Sequence, residues 1–109
     1  MTYNERLDVA IFLLALVNLN STQGKAYISK SFSELEIDFD ETLIFLKELT
    51  LEKKFELYQS IKQMNSNEKK LIQQYFINAY LEGGSSGDQD KALILKEILT
   101  ECEMFDNAI

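Results

Sequence analysis

One stretch holds most of this chain's usable chemistry: Glu82-Gly83-Gly84-Ser85-Ser86-Gly87-Asp88-Gln89-Asp90. It contains three of the four glycines and a set of oxygen donors, Glu82, Asp88 and Asp90 with Ser85 and Ser86. Hard cations such as calcium and magnesium take oxygen ligands, and glycines let backbone carbonyls join them. Glu82, Asp88 and Asp90 are therefore the candidate metal ligands. The spacing departs from an EF-hand loop, which needs acids at alternate positions and a closing glutamate. The same letters also serve a plain helix-loop-helix. Glycine ends one helix, Asp88 or Ser86 caps the next, and Asp88 and Asp90 favour its positive end.

Other chemistries lack their residues. Histidine is absent, which removes the usual general base, the commonest zinc ligand and any Ser-His or Cys-His pair. No phosphate-cradling glycine loop is present, so an enzyme is not expected. Cys102 is the single cysteine, which rules out an intrachain disulfide. It stands at helical spacing from Ile98, Leu99 and Phe105, as a buried inert thiol would. A net charge of -7 disfavours nucleic acid and anionic lipid. It fits a cytoplasmic protein that meets a protein partner or a cation. The apolar run 9–17 is too short to span a bilayer, which takes about 20 residues. As a signal sequence it has the wrong flank, because Glu5 and Asp8 outweigh Arg6.

The elements that would carry the loop are helices. Residues 3–19 predict a helix that is apolar on every side, hence a central one that others surround. Its Leu7, Ile11, Leu14 and Ala15 make one face, while Phe12, Leu13, Leu16 and Val17 need partners elsewhere. Gly24 then offers a backbone open to positive φ. Residues 26–36 carry Ile28, Phe32 and Leu35 at helical spacing. Asp40 is an N-cap candidate for a short helix with Leu43, Leu46 and Leu49. Thr50 caps the next, whose Phe55, Tyr58, Ile61 and Met64 make a slanted stripe. Asn65 and Glu68 match a capping box. Leu71, Ile72, Tyr75, Phe76, Ala79 and Tyr80 then cover about half of a helix circumference. The last helix shows Ile94, Leu95, Ile98, Leu99, Cys102 and Phe105, with a frayed tail beyond. No segment alternates at period two for long. The expectation is one all-α domain over 1–109, a compact bundle of five to six helices.

Two parts of the chain echo each other. Ala15-Leu16-Val17-Asn18, a polar loop with Gly24, then Ile28, Phe32 and Leu35 parallel Ala79-Tyr80-Leu81-Glu82, the glycine loop, then Ile94, Ile98 and Leu99. This plan resembles the TerB-like family of all-helical bacterial domains, linked to stress and membrane-associated complexes. The resemblance implies two helical hairpins whose Asp-Gly turns and helix-opening acids gather into a metal site. The second half offers Glu82-Gly83 and Asp88 or Asp90 at those positions. The first half has Gln23-Gly24 and Lys30, so both acids are missing there. The function implied is a non-enzymatic cytoplasmic interaction or scaffold domain. The alternatives are a divalent-cation-binding domain using the loop 82–90, and an acidic immunity or inhibitor-type protein that masks a basic partner. Half-amphipathic helices, with Tyr75 or Tyr80 at the edge of the stripe, leave room for a partner helix in a groove. If the loops after Leu19 and Leu81 meet in space, the repeat holds.

Overall fold

A computed structural model describes residues 1–104 and shows six helices with no strand among them. They are α1 Tyr3–Leu16, α2 Thr22–Leu35, α3 Phe39–Lys47, α4 Leu51–Lys62, α5 Ser66–Glu82 and α6 Gln89–Glu101. The all-α bundle expected from the sequence is what the chain forms. Phe105 and the tail lie outside the described residues.

Each helix opens on a side-chain oxygen that accepts from a free amide of the first turn. Thr50 accepts from the Lys53 amide at 3.1 Å, and Asn65 accepts from the Glu68 amide at 2.9 Å, as the sequence indicates. At α3 the cap is Asp38 rather than Asp40: its carboxylate takes the Glu41 amide at 2.9 Å. Asp40 falls inside the first turn, where its charge still favours the helix dipole. The complete capping box lies on Thr2 and Glu5, at the start of α1. Those bonds to Thr2 hold the Glu5 carboxyl below its ordinary range.

α1 is the hub and packs against all five other helices. Val9, Ala10, Ile11, Phe12, Leu13 and Leu16 are all buried, on every side of the helix. The Phe12 ring stacks on Tyr58 of α4 at 5.4 Å and meets Phe76 of α5 edge-on at 5.8 Å. Burying such side chains contributes about 1.5–3 kcal/mol each.

Two stripes are narrower than the letters imply. On α5 only Ile72, Phe76 and Ala79 are buried, and Leu71 is 53% exposed. On α4 Leu57, Tyr58 and Ile61 are buried and Phe55 is 51% exposed. Each step of three residues falls about 60° short of a full turn, so positions 55, 58, 61 and 64 cannot share one face. Phe55 is the position that rotates out, and Leu57 turns in.

α1 ends at Leu16 instead of reaching residue 19, and α2 starts at Thr22 instead of residue 26. The amide of Val17 still bonds back to Leu13, but Val17 is extended and the Asn18 amide leaves to donate to the Gly83 carbonyl at 2.9 Å. Ser21 then caps α2 by accepting from the Gly24 amide at 2.9 Å. Gly24 therefore sits in the first helical turn and needs no positive φ. Its need is for space, because a methyl there would overlap the Asn18 carbonyl and stand 2.9 Å from the Gly83 carbonyl oxygen.

Candidate functional site

The acidic loop is built as a turn between α5 and α6. Gly84 and Gly87 take positive φ of 79° and 93°, which an L side chain adopts only with strain. Asp88 caps α6, its carboxylate accepting from the amides of Asp90 at 2.9 Å and Lys91 at 3.3 Å. The Asp88 amide donates to the Ser85 carbonyl at 2.9 Å, and the Gly87 amide donates to the Tyr80 hydroxyl at 3.2 Å. Glu82, Asp88 and Asp90 are not brought together: among the described residues no three histidine, cysteine, aspartate or glutamate side chains gather where they could hold a metal ion. Asp88 is engaged in capping. Ser85 is buried and its hydroxyl has no partner.

What the loop does touch is the α1–α2 connection. Besides the bond from Asn18 to Gly83, a methyl on Gly84 would run into the Ser21 hydroxyl, and one on Gly83 would stand 2.7 Å from a methyl of Val17. Lys91, at the start of α6, donates to the Ala15 carbonyl at 2.8 Å. The loops of the two hairpins α1–α2 and α5–α6 therefore converge.

The far ends match as well. The Ile37 amide reaches back to the Phe32 carbonyl at 3.0 Å, and the Met104 amide reaches back to Leu99 at 2.8 Å. Between them stand Glu36 and Glu103, the two non-glycine residues with positive φ among those described, each at 55°. Both hairpins thus close with a left-handed glutamate followed by a buried apolar residue, the Schellman arrangement of a helix end.

A broad concavity lies on α2 and its junction with α3. It is a groove of about 830 Å³ lined by Leu19, Ile28, Phe32, Ile37 and Phe39; Ile28, Phe32 and Ile37 are themselves buried, and Phe39 is 36% exposed. The helix end just described positions it: the return of Ile37 toward Phe32 brings Phe39 over Phe32, ring centroids 6.2 Å apart. Arg6 of α1 holds this corner by donating to the Leu35 carbonyl at 2.7 Å. α3 packs broadly on α1 and touches α2 at Phe39 and Phe32. Glu36 and Asp38 are among the lining, with Asp40 and Glu41 following on α3, and Lys25 is the one cation of the lining.

Sequence reasoning looks for a groove near Tyr75 or Tyr80, and smaller concavities of about 200 and 440 Å³ do lie against them. The Tyr75 hydroxyl donates to Glu34 at 2.7 Å, and Tyr80 accepts from Gly87. Burial, then the Glu34 carboxylate, pushes Tyr75 up to about 12. Near Ile37 and Phe39 the legible signal is two apolar residues flanking Asp38 in a connection, where apolar residues need a reason. Cys102 is fully buried, and burial pushes its thiol up to about 12, far from a reactive thiolate. No helix among the described residues is long and apolar enough to cross a membrane. Comparison of the chain with protein-family models, curated proteins and solved structures finds no match in any of the three.

Proposed function

We propose that this chain is a non-enzymatic interaction domain whose α2–α3 groove receives an amphipathic helix carrying basic residues. The observation that carries this reading is the groove itself: about 830 Å³, with Leu19 and Phe39 reaching solvent beside the buried Ile28, Phe32 and Ile37, in a chain of net charge -7. A groove of this kind takes helix residues at i, i+3 or i+4 and i+7. The acids clustered from Glu36 to Glu41 favour lysine or arginine at one end of that helix. A scaffold of TerB-like form is the version of this reading that the two converging hairpin loops and the two matched helix ends support. A masking role against a basic protein uses the same groove and the same charge.

A displayed library of amphipathic helical peptides tests it. Enriched peptides should carry the apolar spacing with flanking lysine or arginine. Their affinity should fall about tenfold between 50 and 500 mM salt, as screening of charge pairs near a surface requires. Phe39→Ser should weaken them at every salt concentration, and Glu36→Lys mainly at low salt. Enrichment of acidic or purely apolar peptides, or binding indifferent to Phe39→Ser, would overturn the reading.

A further inference from the structure

A second, smaller cavity lies against the hub. α3 and α6 both pack on α1 but barely touch each other, and the gap between them is a cavity of about 150 Å³. Ile11, Phe12 and Ala15 of α1, Leu46 of α3, and Ile94 and Ile98 of α6 make apolar walls. Tyr58 of α4 also lines it, 1% exposed, and its hydroxyl has no hydrogen-bond partner. Lys54 lines the same space, with its ammonium engaged by Glu97 at 2.9 Å and standing 5.8 Å from the Tyr58 ring centre.

Two facts define what fits. A cavity of about 150 Å³ with aliphatic and aromatic walls is large enough for a six-membered ring and stays dry unless polar partners hold water. A buried hydroxyl without a partner carries an unmet desolvation cost. Burial, then the Glu97 carboxylate close by, pushes the Tyr58 hydroxyl above its ordinary range, so it stays protonated, and a ligand oxygen would compete with Glu97 for that donor. We propose that this cavity is a binding site for a small neutral molecule with an apolar body and one oxygen acceptor, which takes its hydrogen bond from Tyr58. The site is independent of the α2–α3 groove and needs no metal.

Cyclohexanone and benzene are the probes: similar in size, one with a carbonyl oxygen and one without. In amide-resolved NMR titrations of the full chain, cyclohexanone should give saturable shifts centred on Ala15, Leu46 and Ile94. It should bind roughly five- to tenfold more tightly than benzene, the worth of one net hydrogen bond. Tyr58→Phe should leave benzene binding in place and lower cyclohexanone to the benzene level. Ala15→Leu should block both probes by filling the cavity without touching the hydroxyl. Absence of saturable shifts at roughly 10 mM probe, equal affinity for the two probes in the unmodified protein, or binding that survives Ala15→Leu would each overturn the proposal.

Discussion

Lys91 does for α1 what α1 cannot do for itself. The last turn of α1 has no basic residue, and its Ala15 carbonyl takes a hydrogen bond from the Lys91 ammonium at 2.8 Å. A cation near the negative end of a helix also suits the dipole. Lys91→Met keeps the aliphatic stem and should cost about 1–2 kcal/mol of unfolding free energy, read from urea titration. Asp8 is a residue working against the fold. It is half-buried, and that burial raises its carboxyl above the ordinary range, against the pull of Ser60 and Lys53. A carboxyl raised in the folded state binds protons there more tightly than in the unfolded chain. Stability from this group is therefore present below the unfolded value and is lost as pH rises through the folded one. Asp8→Asn should raise Tm at pH 7, and the gain should shrink toward pH 4. A gain that grows on acidification would contradict the sign.

At the scale of the element, the two left-handed glutamates are the clearest flaw in otherwise well-capped helices. Glu36 and Glu103 hold φ of 55° where glycine is the usual occupant. Glu36→Gly and Glu103→Gly should each stabilise by roughly 0.5–1 kcal/mol, since relief of strain exceeds the added freedom of the unfolded chain. Equal effects at both would fit their matched places in the two hairpins. α3 packs on α1 through apolar side chains that are only partly buried. Thr42 is its one fully buried residue, and Ile44 and Phe45 are 56% and 42% exposed. Few buried apolar contacts mean cheap local opening. In native-state hydrogen exchange the amides of α3 should exchange first and those of α1 last, with α1 approaching the global unfolding free energy.

The whole molecule turns on α1. Leu13 is fully buried, on a helix that every other helix contacts. Leu13→Ala should cost about 3–5 kcal/mol. Because all parts share this hub, circular dichroism and tyrosine fluorescence should still give one coincident urea transition. Two separated transitions would mean that the hairpins α1–α2 and α5–α6 fold as independent units. The molecule also presents two concavities of different kind: a wide one over α2 facing solvent, and a small one between α3 and α6 against the hub. Ligands of the second should leave peptide binding in the first unchanged unless α3, which borders both, moves.

The sequence by itself determined the class, the central helix and most helix starts. Periodicity and capping are local, so residues 9–17, Thr50, Asn65 and Asp88 could be read one segment at a time. Even the pairing of Ala79 through Gly87 with Ala15 through Gly24 was legible, since both stretches follow the same order of residue types. Tertiary structure alone decided three matters. It set the end of α1 at Leu16, because the Asn18 amide finds a partner in Gly83, far along the chain. It left Glu82, Asp88 and Asp90 apart, because a cap commits the Asp88 carboxylate to its own backbone. And it buried the Tyr58 hydroxyl without a partner in hydrogen-bonding geometry, because which faces meet depends on how six helices share one hub.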